Sequence, residues 1–312
     1  MTSTMKYIYT IYKTKNFSSA AEQLYITQPA LSIAVRKEEE EWGTTFFDRN
    51  THPLSLTHAG ELYIRKVEEI MRLEQELKNQ LSDLSNLKNG EIHLAGTQYI
   101  NSYFLAPVIR SFMLKYPGIK IQLNENSPQA NVESLLEGKI SVTFNAGNFD
   151  PQVFNQTLIF HDYILLGVPR SFTVNERYRC YGLTHEQVKN HRFQRDGGKF
   201  LPATCFADVP MIFLSPGTNL YQCSMEICQD AGFHPNIIFM VDQSTTAYNL
   251  ARAEIGAVWV SNIIVANSLA SDMVYYQIDS SKIGRNYYAL TNKKRYTDKA
   301  TLEFIRMCSQ II

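Results

Sequence analysis

The sequence is short of several things, and each shortage removes a class of function. Cysteine is scarce, with five in 312 residues; disulfide frameworks belong to denser and smaller chains. Cys223 and Cys228 stand five apart on a predicted helix and point in different directions. Cys180, His185 and His191 lack the paired CxxC or HxxxH spacing of a metal site, and Cys180 and Cys205 read as inert thiols. No metal or cofactor is expected. No run approaches the roughly 18 apolar residues of a bilayer span. The N-terminus scatters Lys6, Lys13 and Lys15 among polar residues, unlike an export signal. The expected location is the cytoplasm, with no membrane partner. Glycine forms no phosphate-binding loop, no G-x-S-x-G occurs and no acid–base pair clusters, which speaks against an enzyme. Net charge is missing too, with 30 Lys and Arg against 30 Asp and Glu.

What is present centres on residues 17–60. Ala20, Ala21 and Leu24 give a small apolar stripe, and Ser18 is the predicted cap of its helix. Tyr25 and Ile26 make a turn. Thr27 is the predicted N-cap of a second helix, with Pro29 in its first turn, where a missing N–H costs nothing. Leu31 and Val35 continue the buried face; Gln28, Ser32 and Arg36 repeat on a neighbouring one. An amide, a hydroxyl and a guanidinium on one stripe suit base edges and phosphates. A wing follows: Phe46-Phe47-Asp48-Arg49, a turn from Asn50 to Pro53, then Leu54 to Gly60.

Four segments stand in order here: F-S-x-A-A-x-x-L, Q-P-A-L-S, F-F-x-R and L-T-x-A-G. Together they resemble the N-terminal domain of LysR-type transcriptional regulators. The resemblance implies a winged helix-turn-helix that binds double-stranded DNA. Thr27, Gln28, Pro29, Ser32 and Arg36 are the expected groove-facing residues, with Ser18 added from the preceding helix. Arg49, Thr51 and His52 are expected on the flanking backbone. Two positions depart from the family pattern: Glu38 replaces a customary buried Leu, and Ile33 a customary polar or basic residue. A carboxylate at 38 must reach solvent or a partner. Charge within 1–57 cancels, yet it is polarised, because Glu38, Glu39, Glu40 and Glu41 form one run at the far end of the second helix. Weak binding per monomer, steep salt dependence and reliance on oligomerisation follow.

Before this region, residues 1–13 are a predicted helix, with Ile8, Ile11 and Tyr12 on one face. After it, Ala59 to about Lys88 reads as one amphipathic helix of roughly 45 Å, with Thr57 as cap and Asn89-Gly90 as its end. Ile70, Leu73, Leu77, Leu81, Leu84 and Leu87 step near a 3.5 repeat, which predicts pairing with a second copy; the resemblance implies the same, as a homodimer and then a dimer of dimers.

Beyond Gly90, short strands alternate with helices, the pattern of parallel α/β sheets. Strands are predicted at 91–95, 119–123, 140–144, 163–168, 211–214, 237–241, 257–260, 274–278 and 287–290. Helices are predicted at 104–116, 132–136, 184–190, 218–231, 244–255 and 297–310. Thr184 and Gln187 have capping-box spacing, and 195–200 reads as a loop. The expected architecture is a winged helix-turn-helix at 1–58, a linker helix at 59–89 and an α/β effector domain at 90–312. That domain divides into two Rossmann-like subdomains (90–168 with 270–312, and 169–269), resembling periplasmic binding proteins. Ligands bind beyond the carboxyl ends of such strands, so Thr97, Gln98, Ser127, Asn145, Ser215, Gly217, Thr218 and Ser244 are the candidate effector residues. None of these loops carries Arg or Lys, which suits a neutral or aromatic small molecule as well as an anion. The competing reading is a solute-binding module or enzyme whose head serves protein interaction.

Overall fold

Local capping determines where the first helices begin. The computed structural model describes residues 1–49, 51, 53–83, 89–191, 198–269 and 272–310. In α1 (Ser3–Thr14) the Thr2 hydroxyl accepts the Met5 amide at 3.2 Å, and Ile8 and Ile11 are buried. The cap of α2 (Phe17–Gln23) is Asn16 and not Ser18: Asn16 Oδ1 accepts the amides of Ser18 at 2.8 Å and Ser19 at 3.1 Å. An Asx side chain one residue before the helix reaches both amides, whereas Ser18 already lies inside the first turn. Tyr25 turns the chain at φ +55°, a left-handed conformation uncommon for a non-glycine residue. Then α3 (Gln28–Glu41) begins, with the Thr27 hydroxyl accepting the Ala30 amide and Pro29 in the first turn.

The wing is a two-residue ladder, β1 (Phe47–Asp48) against β2 (Ser55–Leu56), antiparallel. Thr57 opens α4 (His58–Asp83), its hydroxyl accepting the Gly60 amide at 3.0 Å. Leu73, Leu77 and Leu81 are exposed along α4; Leu84 and Leu87 of the expected seam lie outside the described residues. The chain divides into two compact units, Met1–Leu84 and Ser85–Ile312.

In the second unit, β3 (Gly90–Gly96), β4 (Ile119–Glu125) and β5 (Val142–Ala146) are parallel neighbours, connected through α5 (Ala106–Lys115) and α6 (Pro128–Glu137). Right-handed crossovers of this kind bury both sheet faces. The expected helix at 104–116 begins as a π-helical turn, Ile100–Leu105, before α5. Pro107 cannot donate to the preceding turn, and a local widening accommodates it.

The main departure from expectation is β6 (Phe154–Pro169), one strand of 16 residues where only 163–168 was predicted. Its first part, through Tyr163, pairs with the return strand β12 (Gly284–Asn292); its second part pairs with β10 (Ala257–Ser261) and β11 (Met273–Ile278). β8 (Pro210–Leu214) and β9 (Asn236–Val241) extend the second half-sheet in parallel. The strand order is therefore β4-β3-β5-β12-β6-β10-β8-β9, with β11 beside β6 and also paired to β7 (Phe200–Leu201). The sheet changes halves inside β6, at Tyr163–Ile164, earlier than the predicted 168. β11, predicted with the first subdomain, pairs within the second.

Short helices fill the polar stretch after β6: α7 (Val174–Arg177) and α8 (His185–Lys189), the latter with the predicted capping box of Thr184 and Gln187. Residues 195–197 of the predicted loop lie outside the described residues, and Phe200 at its end enters β7. α9 (Asn219–Asp230) and α10 (Ser244–Arg252) cover the second half-sheet. α11 (Asn262–Asn267), not anticipated, follows β10 directly, and α12 (Lys299–Cys308) closes the chain.

Candidate nucleic-acid interface and effector cleft

Within the first unit, the inward face of α3 is Leu31, Val35 and, one turn further, Glu39. A buried carboxylate needs full satisfaction. Glu39 has it: Oε1 accepts the Phe46 amide at 2.7 Å, and Oε2 pairs with Arg49 at 3.1 Å. Arg49 also lies over the Phe17 ring, 5.6 Å from its centroid. The acid run is thus not one solvated face. Its second member clamps the wing to α3. Glu38 finds partners as well, accepting from Trp42 Nε1 at 3.2 Å and from the Tyr63 hydroxyl at 2.8 Å. Burial, reinforced by that carboxylate, pushes the Tyr63 phenol well above its ordinary pKa.

Thr27, Gln28, Pro29 and Arg36 are exposed, and Ser32 is half-buried. The outward crest of α3 runs through Pro29, Ile33, Arg36 and Glu40, so the predicted Gln28–Ser32–Arg36 stripe forms one edge of it and Ile33 stands near its middle. Arg36 Nε pairs with Glu40 Oε1 at 2.8 Å, both side chains open to solvent. Arg36, Glu39, Glu40, Asp48 and Arg49 share the wall of a shallow recess of about 860 Å³ beside the wing, and both of its arginines are occupied by glutamates.

Local hydrogen bonds hold two further head residues of the predicted set. Ser18 is exposed in the first turn of α2, its amide held by Asn16. Thr51 spends its hydroxyl inside the wing, on Asp48 O at 3.0 Å and Ser55 Oγ at 2.7 Å. A turn closed this way holds the wing's shape and leaves that hydroxyl committed. His52 lies outside the described residues.

In the second unit the predicted loop residues gather at the ends of the strands, and most of their polar atoms serve the fold. Ser127 caps α6 through the Ala130 amide at 3.3 Å, and Thr218 caps α9 through the Tyr221 amide at 3.1 Å. Ser215 Oγ donates to Asp242 at 2.6 Å. Asn145 is buried, its amide donating to Thr143 Oγ1 at 3.4 Å. Ser244 opens α10, half-buried. Gln98 and Gly217 bridge the two halves. Thr245 donates to Gln98 Oε1, and Gln129 Nε2 donates to the carbonyl of Gly217, which turns at φ +95°. Thr97 Oγ1 is buried with no hydrogen-bond partner among the described residues.

Pattern reading of the loops missed the polar centre where the halves join. Asp162 of β6 and Arg285 of β12 are register partners and form a buried ion pair through Nε at 2.9 Å and through Nη2. The Arg285 side chain is 5% exposed and that of Asp162 0%. Ser261 donates to the other oxygen of Asp162, and Arg285 Nη1 donates to Asn219 Oδ1 at 3.3 Å. Asn262 Oδ1 accepts the Tyr163 amide at 2.8 Å. Burial alone would lower the Arg285 pKa; Asp162, with the neighbouring groups, outweighs that and holds the guanidinium well above its ordinary range. Tyr99 and Tyr287 meet through their hydroxyls beside the pair, and burial raises both phenols. The available signal was Asp162, an acid directly before the apolar run 163–168; its partner is 123 residues away in sequence.

Among the described residues no group of three metal-ligating side chains occurs, and no helix is long and apolar enough to cross a membrane. Residues 2–61 match the bacterial regulatory helix-turn-helix protein, lysR family, and residues 85–311 match the LysR substrate binding domain. The chain is 24% identical over 305 residues to the HTH-type transcriptional regulator YcgK of Bacillus subtilis, covering 97% of this chain and 92% of the relative. It is 25% identical over 301 residues to a probable RuBisCO transcriptional regulator of Cyanidioschyzon merolae, covering 95% and 92%. Full-length CbnR crystallised with its target DNA superposes with a TM-score of 0.69 at 19% identity, covering 98% of each chain.

Proposed function

The chain belongs to the LysR family of DNA-binding transcriptional regulators, and from that premise we propose which of its residues do the work. The recognition helix α3 enters the major groove, with Thr27, Gln28, Pro29 and Arg36 toward the DNA and Ser32 at the edge of the contact. Arg49 reaches the flanking backbone from the wing while tethered to Glu39. The observation carrying this reading is that these α3 residues are open to solvent while Leu31, Val35 and Glu39 take the inward face. Gln28→Ala and Arg36→Ala should each weaken operator binding about tenfold or more in a mobility-shift titration, the loss of one bidentate base contact. Binding equal to the parent's would remove α3 residues 28 and 36 from the interface.

The chain acts as a dimer or dimer of dimers in the cytoplasm. Support comes from Leu73, Leu77 and Leu81, each more than half exposed on consecutive turns of α4. An apolar seam of that kind seeks a second helix. Leu77→Glu should shift the chain toward monomer in sedimentation velocity.

A small effector between the halves of the α/β unit shifts their relative orientation and so the DNA-bound state. Gln98–Thr245 and Gln129–Gly217 are the bridges that such a ligand would replace. The Arg285 guanidinium at this junction is already neutralised by Asp162, which supports an uncharged or aromatic effector over a small anion. A thermal-shift screen over neutral and anionic metabolites tests this: stabilisation confined to anions would refute it.

A further inference from the structure

The crest of α3 carries an apolar side chain at its middle. Pro29, Ile33, Arg36 and Glu40 succeed one another at steps of four, three and four, opposite the buried Leu31 and Val35. Ile33 is 68% exposed. A lone exposed isoleucine is ordinary on a protein surface. This one sits on the helical face offered to a groove, one turn beyond exposed Pro29 and beside Arg36 and Lys37. Gln28 and Arg36 present hydrogen-bonding groups there; Ile33 presents methyl groups alone.

The base edges of the major groove offer one apolar feature, the C5 methyl of thymine. We propose that Ile33 reads a thymine methyl, and that the operator carries an A·T pair where the middle of α3 meets the groove. The inference rests on α3 being the recognition helix. Two properties of isoleucine fit the task. Its β-branch restricts χ1 to one strongly preferred rotamer in a helix, so the methyls are held in place before contact. It also lacks any polar atom, so a cytosine amino group in the same place would lose water and gain no acceptor. The exposed isoleucine thus gives discrimination without charge, in a head whose formal charges cancel.

The test uses the full-length chain and an operator enriched by it from a random-sequence duplex pool. A copy of that operator with deoxyuridine in place of thymidine lacks only the C5 methyls. The parent should bind the uridine copy about fourfold more weakly for each methyl lost from contact. Ile33→Ala should bind both copies with equal, reduced affinity, and Ile33→Val should keep most of the parent's preference. Two results overturn the proposal: a parent indifferent to the substitution, or an Ile33→Ala variant that keeps the parent's full preference for thymine, which would place discrimination in DNA shape. Failure to enrich any duplex would instead refute the DNA-recognition reading of α3 and carry this proposal down with it. Because Ile33 is exposed, the variants are expected to fold; unchanged sedimentation and thermal melting confirm it.

Discussion

The two units of this chain use the same chemical pair in opposite ways. In the α/β unit, Arg285 and Asp162 are sealed from water and bound on every side, to Ser261, Asn219 and each other. In the head, Arg36 and Glu40 are 74% and 64% exposed and one turn apart. Arg49 and Glu39 stand between these extremes, with a half-exposed guanidinium on a buried carboxylate. Desolvation separates the three. A buried pair cannot exchange partners, since releasing either ion strands the other in a medium that penalises it by several kcal/mol. An exposed pair holds by a fraction of a kcal/mol and yields to any better partner. Guanidinium groups meant for ligands should therefore be found in the second condition, and those that hold the fold together in the first.

Breaking each pair sharpens the contrast, and the expected effects descend in order. Arg285→Met leaves Asp162 buried and unpaired, and should cost about 3–5 kcal/mol of stability in chemical denaturation. The double change Arg285→Met with Asp162→Leu should recover much of that loss. If the single variant lost less than about 1 kcal/mol, water must already reach the pair. Glu39→Ala deprives the Phe46 amide and Arg49 of their acceptor and should cost about 2–3 kcal/mol. Its loss should register in the head and wing, read by hydrogen exchange at Phe46 to Asp48. Glu40→Gln should leave stability unchanged and tighten binding to random-sequence DNA about fivefold at low salt, since a like charge near phosphate is removed and Arg36 is freed. The salt dependence should steepen with it, by about one released counterion per head. No change in either would mean that Glu40 stands clear of the duplex.

How much of this was legible beforehand follows from the range of each interaction. Thr27, Pro29, Thr57 and the Thr184–Gln187 box act over three or four residues, and the sequence placed them correctly. Asn16 displaced Ser18 as a cap because the two compete within one turn, and only backbone geometry decides between them. The first part of β6 was invisible: Asn155, Gln156 and Thr157 make it polar, and it becomes a strand because β12 returns to pair with it. The Asp162–Arg285 pair depends on that same return. Loop residues chosen by the strand-end rule lie at the ends of the strands, yet several of their polar atoms are spent on caps. The rule speaks of position and not of unfilled valence. Ile33 stood out as a departure before its exposure was known; its place at the crest required the burial of Glu39 to fix the rotation of α3.

The uninterrupted run of β6 has one more consequence. Its first residues are woven into one half-sheet and its last into the other, so no single cut frees an intact half. Attempts to express residues 164–278 alone should give insoluble chains missing a neighbour along an inner edge. A boundary drawn near residue 85, where no strand is shared among the described residues, should yield a soluble α/β fragment for crystallisation and ligand screening.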